Sequence, residues 1–273
     1  MKKIITLVLT AIMSIVSVFA LTGCGEDKSV KIGVQEGTTS LMYADCLKGT
    51  KVSSYTTFPL AAEAMKNGNV DYVLCDKATA TSIVNTMDGL RYIDIALSTE
   101  FYAIAMDKNQ PTLGAEINAV LADKATEIQA IINKYMAGDK DKYVGVQKGT
   151  KDNAKAATQL VVATNAEFAP WEYVDGELYY GIDMEIAALI AEELGMELVL
   201  DDMAFESVVS SVGNHGVDIA MSGITITNER KDIVNFSTSY YTESIVVVCK
   251  ENDNSFASAG TVVDLLGILC ANK

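Results

Sequence analysis

The chain of 273 residues has one histidine, one tryptophan, three prolines and no C-x-x-C pair. A lone His215 cannot supply the imidazole set of the usual zinc centres, so no metal site is expected. The five cysteines, Cys24, Cys46, Cys75, Cys249 and Cys270, are scattered, which speaks against a zinc knuckle or a dithiol redox motif and leaves the pairing of the last four open. Basic residues are scarce: 21 Lys and Arg stand against 36 Asp and Glu, a formal net charge of −15. Nucleic acids and anionic lipid surfaces select basic footprints, so neither is expected as the partner. Beyond the N-terminal segment no run of ~18 consecutive apolar residues occurs, and no further membrane span is expected. Nothing in this inventory asks for a cofactor.

What is present begins with Lys2 and Lys3, an almost wholly apolar stretch over residues 4–20, and Leu21-Thr22-Gly23-Cys24. A charged start, an apolar middle and a small-residue end form the layout of a secretory signal. A membrane anchor is the alternative, although the run is marginal for spanning. Downstream, residues 58–71 and 205–218 each run from Phe to Val-Asp over the same spacing, and each leads into a short apolar stretch. Each reads as a helix with apolar positions near helical spacing, a Gly/Asn stop and a buried strand. Strands are also expected over residues 30–34, 101–106, 160–164 and 244–249. Helices are expected over 183–194, ended by Gly195, and over 115–136, as one helix or two. The alternation predicts an α/β chain. Residues 139–157, rich in Lys, Asp, Gly and Thr, read as a linker.

Several motifs together resemble a known family. They are Leu160-Val-Val-Ala-Thr-Asn-Ala-Glu-Phe-Ala-Pro-Trp-Glu-Tyr173, Gly181-Ile-Asp183, Ser222-Gly-Ile-Thr-Ile-Thr-Asn-Glu-Arg230 and Asn235-Phe-Ser-Thr-Ser-Tyr-Tyr241. Ile32-Gly-Val-Gln-Glu-Gly-Thr-Thr39, Val70-Asp-Tyr-Val-Leu-Cys-Asp76 and Tyr102-Ala-Ile-Ala-Met106 complete the set. The combination is similar to extracellular solute-binding protein family 3, the polar amino-acid-binding proteins of ABC importers. The resemblance implies a two-lobed, type II periplasmic-binding-protein-like α/β fold with a two-strand hinge. It also implies that Leu21-Thr-Gly-Cys24 is a lipobox, with acyl chains such as palmitate on Cys24 holding a mature chain outside the cytoplasm.

Segment order departs from the family, because the second-lobe motifs come first. The division this implies is a signal over 1–23, a tether over 24–29 and lobe 2 over 30–100. A hinge strand with C-terminal helices of lobe 1 follows over 101–138, and the linker occupies 139–157. Lobe 1 with the other hinge strand covers 158–249, and the start of lobe 2 covers 250–273. The chain reads as circularly permuted, which exposed termini and a linker would tolerate. A fragment of a tandem repeat is the competing account, since Val144-Gly-Val-Gln-Lys-Gly-Thr150 echoes residues 32–38.

A zwitterionic amino acid needs a cation for its carboxylate, an anion for its ammonium and shape for its side chain. The resemblance assigns Arg230 to the carboxylate, gripped through two parallel hydrogen bonds, with Thr225, the backbone of Gly223 and backbone donors at Thr39 assisting, and it places a Ser222 carbonyl or hydroxyl near the ammonium. Without it, Arg230 would read as a surface arginine of a helix. Asp76, ending an apolar strand, is assigned to the ammonium; a helix N-cap is its other reading. Phe168 and Phe205 are expected as walls around the ligand's aliphatic body, and Asn165, Gln35 and Cys75 as tuning positions. Trp171 is expected to pack behind the site and His215 to sit in an exposed turn. The expected partners are a free amino acid, a membrane permease and the lipid bilayer through the anchor, with the protein itself a monomer and no enzyme. A dehydratase on the same fold, or a rearranged product that binds nothing, are the alternatives.

Overall fold

The computed structural model describes residues 29–214 and 216–270. The signal-like leader, Cys24 and His215 lie outside the described residues. Fifteen strands are described, in chain order: β1 (Val30–Gln35), β2 (Thr50–Tyr55), β3 (Tyr72–Asp76), β4 (Leu90–Ile93), β5 (Glu100–Tyr102), β6 (Ala105–Met106), β7 (Gln159–Thr164), β8 (Glu167–Phe168), β9 (Glu172–Asp175), β10 (Leu178–Tyr180), β11 (Glu197–Asp202), β12 (Ile219–Ala220), β13 (Asn235–Phe236), β14 (Tyr241–Glu243) and β15 (Ile245–Lys250).

Ten of them form two separate five-stranded sheets, while β10-β9-β8 and β14-β5 make two smaller ones. The first has the order β2-β1-β3-β15-β4, with β15 antiparallel to both its neighbours. The second has the order β11-β7-β12-β6-β13, with β6 running against β12 and β13. The central strands explain their own positions. All five residues of β3 and all six of β7 are buried, as expected of interior strands covered on both faces. The chain leaves the first sheet through β5 and returns to it through β14, and these two crossings pair antiparallel, Tyr241 opposite Tyr102 and Glu243 opposite Glu100. The α/β expectation is therefore borne out.

Local sequence sets the helices that flank the sheets. Thr57 caps Phe58–Lys66 through its hydroxyl, which accepts from the Leu60 N–H, and Pro59 stands in the first turn where its missing N–H does no harm. Thr38 caps Thr39–Asp45 in the same way, accepting from the Leu41 N–H. The matched 58–76 and 205–220 stretches both form a helix followed by a strand, but Phe205–Ser211 is shorter than Phe58–Lys66 and β12 has only two residues. The region expected to be helical over 115–136 is two helices, Pro111–Asp123 and Ala125–Met136, broken at Lys124.

Residues 139–157 join the helix Ala125–Met136 to β7 and are not a free tether. The Tyr143 ring stacks on Tyr135 at 3.9 Å, Val146 pairs with Tyr179, and the Lys148 carbonyl accepts the Leu200 N–H beside the edge strand β11. That backbone would otherwise present unpaired donors and acceptors to solvent.

Candidate functional site

Between the two sheets, next to the β5–β14 crossing, lies a small cavity of about 10 Å³. Gln35, Thr38, Thr39 and Asp76 line it from the first sheet's side, and Phe168, Phe205, Gly223, Thr225 and Arg230 from the second.

Arg230 owes its place to the cap of a short helix. Thr227 precedes Asn228–Ile233, and its hydroxyl accepts from the Arg230 N–H, which fixes the first turn. The guanidinium leans over the Phe205 ring at 5.6 Å. Its Nη1 donates to the Thr225 carbonyl at 2.8 Å and its Nη2 crosses to the Gly37 carbonyl at 3.1 Å. Burial pulls its pKa down, opposed first by the charge of Glu100. Arginine nevertheless stays charged in proteins.

Asp76 stands at the N-cap position of Lys77–Thr86, yet its side chain makes no cap hydrogen bond. The capping is done from β14: Glu243 Oε2 accepts from the Ala78 N–H at 3.2 Å and Oε1 from the Ser244 N–H at 2.8 Å. Asp76 is thereby released toward the cavity. It is 5% exposed, and its Oδ1 has no hydrogen-bond partner among the described residues. Burial, then the charges of Glu100 and Glu243, raise its pKa well above the usual carboxylate range, against a smaller opposing pull from the Tyr102 hydroxyl. Burial also raises Glu243, to about 7.

The loop that carries Gly223 is held from behind by two more buried acids. The Ser222 hydroxyl donates to Glu172 Oε1 at 2.7 Å, the Gly223 N–H donates to Asp183 Oδ2 at 2.8 Å, and the Tyr240 hydroxyl donates to Asp183 Oδ1 at 2.7 Å. Burial raises both carboxyls, Asp183 to about 6 and Glu172 well above the usual carboxylate range. Gly223 adopts φ +54°, and an added Cβ would meet the Phe168 ring at 2.7 Å. Glycine therefore lets the aromatic wall close on the loop.

Eight of the residues singled out from the sequence line the one cavity: Gln35, Thr39, Asp76, Phe168, Phe205, Gly223, Thr225 and Arg230. Three do not. Asn165 sits at the junction, where its Oδ1 accepts from Gln35 Nε2 at 3.1 Å and its amide donates to the Met203 carbonyl. Ser222 faces Glu172, away from the cavity. Cys75 precedes Asp76 on β3, so the two side chains point to opposite faces, and the thiol is fully buried in the hydrophobic core. Trp171 packs edge-on against Tyr102 and Tyr241, as expected behind the site.

Sequence reasoning missed Glu100. It is 6% exposed and its Oε2 accepts from both the Thr39 hydroxyl at 2.8 Å and the Thr225 hydroxyl at 2.7 Å. An acid before an apolar run reads as a strand boundary, and only the tertiary crossing of β5 buries it.

Closure has a steric test. Gly37 has φ +76°, and an added Cβ would stand 2.9 Å from the Glu206 backbone on the opposite half. Gly37→Val is expected to weaken ligand binding about tenfold or more by excluding the closed form. Small-angle scattering should then give a larger radius of gyration than wild type under the same saturating ligand; equal radii and equal affinity would sink the prediction.

Residues 160–263 match the family described as Bacterial extracellular solute-binding proteins, family 3. The Arginine-binding extracellular protein ArtP of Bacillus subtilis (strain 168) is 37% identical over 94 residues, which cover 34% of this chain and 37% of that protein. ABC transporter arginine-binding protein 1 of Escherichia coli (strain K12) is 31% identical over 101 residues, 36% of this chain and 41% of that protein. The chain thus spans well under half the length of these curated relatives. The crystal structure of the arginine-bound form of domain 1 from TmArgBP is 31% identical, with a TM-score of 0.31, over 44% of this chain and 95% of that one.

Proposed function

Since the chain belongs, through residues 160–263, to the bacterial extracellular solute-binding proteins, family 3, we propose that it captures a free amino acid between two closing lobes and delivers it to a membrane permease. The observation that carries this reading is the pairing of Arg230 and Asp76 on one cavity from opposite sheets, with Asp76 Oδ1 buried and unpartnered among the described residues. A guanidinium fork suits the ligand carboxylate. A buried carboxylate is expensive unless paired, and an α-ammonium is the partner that would offset its burial.

The two ligand ends are met by different halves, so ligand favours the closed form, with β5 and β14 as the hinge. Among the described lining residues Arg230 is the one cation, while Asp76 lines the cavity and Glu100 borders it. Two of the similar proteins are named for arginine. A cationic amino acid is therefore the first ligand to test. The lobes are assembled in rearranged chain order, Cys24 carries the lipid anchor on the outer side of the membrane, and the protein acts as a monomer. We assign no catalytic step. Glu243, raised to about 7, has both oxygens engaged by backbone N–H groups.

A thermal-shift screen of the standard amino acids and cystine tests the reading. A ligand present at about 100 times its Kd adds about 2.7 kcal/mol to the folded state, so a rise of several degrees is expected for at least one amino acid, L-arginine first. A midpoint unmoved by every amino acid at millimolar concentration would overturn it.

A further inference from the structure

We infer that Glu100 sets the hydrogen-bonding polarity of the cavity: by taking the hydroxyl hydrogens of Thr39 and Thr225, it leaves both oxygens only lone pairs to offer, so this part of the cavity selects a protonated amine. The inference rests on the amino-acid reading above and adds to it the residue that positions the ammonium's partners.

Thr39 and Thr225 line the cavity from opposite sheets. Both hydroxyls donate to the same oxygen, Glu100 Oε2, at 2.8 and 2.7 Å, while the Ser98 hydroxyl donates to Oε1 at 3.2 Å. A free hydroxyl turns to suit its neighbour, because it has one hydrogen and two lone pairs. A carboxylate only accepts, so a hydroxyl that faces one has committed its hydrogen. The two threonine oxygens then join Asp76 Oδ1, which is buried and without a partner among the described residues. Three acceptors on one cavity match the three N–H groups of an ammonium. A carboxylate, ether or carbonyl placed there would meet lone pairs on every side, and leaving such groups unpaired in a buried site is costly.

Glu100 is suited to this role by its position. It lies on β5, one of the two crossings between the sheets, and so can reach a threonine from each half. Its carboxylate also faces Arg230 closely enough to be the leading charge that favours the guanidinium's protonated form. Glu100 is thus a positioning residue, acting on the ligand through two hydroxyls.

The test uses L-arginine, agmatine, which keeps the amine and lacks the carboxylate, and 5-guanidinopentanoic acid, which keeps the carboxylate and lacks the amine. Affinities are measured by calorimetry, with displacement titrations for the weak probes. Glu100→Gln keeps the shape but gives the hydroxyls an amide that can donate. It is expected to weaken L-arginine and agmatine about tenfold or more and to leave 5-guanidinopentanoic acid within about twofold. Thr225→Val removes one acceptor while leaving Glu100 in place and is expected to give the same selective loss, so the inference does not depend on one variant folding. An equal loss for all three probes would mean a merely structural role, and no loss for the amine-bearing pair would remove the inference outright. Wild-type protein blind to all three probes would instead bring down the arginine-type ligand reading on which the inference stands.

Discussion

Arg230→Ala is expected to weaken amino-acid binding a hundred- to a thousandfold while leaving the unliganded protein folded. The size follows from what the side chain touches. The guanidinium is the one cation among the described lining residues, and truncating one member of a buried, hydrogen-bonded charge pair costs about 2–5 kcal/mol of binding. The fold should tolerate the change, because the two carbonyls released, those of Thr225 and Gly37, face the cleft where water can reach them once the halves part. The helix keeps its start as well, since Thr227 caps it through the backbone N–H of residue 230. Arg230→Lys separates charge from geometry: an ammonium keeps the sign but loses the fork, and an intermediate affinity is expected. Calorimetry with L-arginine and a melting curve of each variant decide the matter. Undiminished affinity in Arg230→Ala would refute the carboxylate site.

The second large effect is one of opposite signs at a single position. Asp76→Asn should abolish most ligand binding, by about a hundredfold or more, and at the same time raise the melting temperature of the unliganded protein. The sign follows from the direction of the Asp76 shift, which is upward because of burial and then of Glu100 and Glu243. A carboxyl whose pKa is higher folded than unfolded binds its proton more tightly in the folded state. Its contribution to stability is therefore greatest at low pH and declines as pH rises from the ordinary carboxylate range toward the raised value. At neutral pH it is a net cost, and an amide of the same shape removes it. For a chain of this size each kcal/mol recovered moves the midpoint by about 2–4 °C. The gain should shrink when both proteins are melted at pH 4. A variant that is both less stable and unimpaired in binding would show that Asp76 is a structural residue.

These effects bear on how far the sequence alone could lead. The helix-then-strand units around residues 58–76 and 205–220 were legible because apolar spacing and turn residues are local signals. Bringing Arg230 and Asp76 to one cavity needed the family's motifs, since nothing in either neighbourhood states which surface faces the other. Cys75 reads as a neighbour of the site, yet strand alternation turns it into the core. Glu100 and Glu243 were invisible for a related reason. Each stands at the end of a short strand whose burial comes only when the two crossings pair with one another. Opposed acids at a cross-strand position are unfavourable on their own; here separate neighbours absorb them, hydroxyls for Glu100 and backbone N–H groups for Glu243. The 139–157 stretch looked like a tether because its composition is polar, while its contacts are made by backbone and by Tyr143 and Val146.

The place of β15 has a kinetic consequence. Residues 245–250 lie between β3 and β4, in the interior of a sheet whose other four strands come from residues 30–93. Until that late strand emerges and inserts, β3 and β4 have no partner to join them, and the early segment must wait with its pairing edges open for more than half the chain. Contacts so distant in sequence slow folding. The first half is thus left incomplete until residue 250 is available, although four of its five strands lie before residue 94.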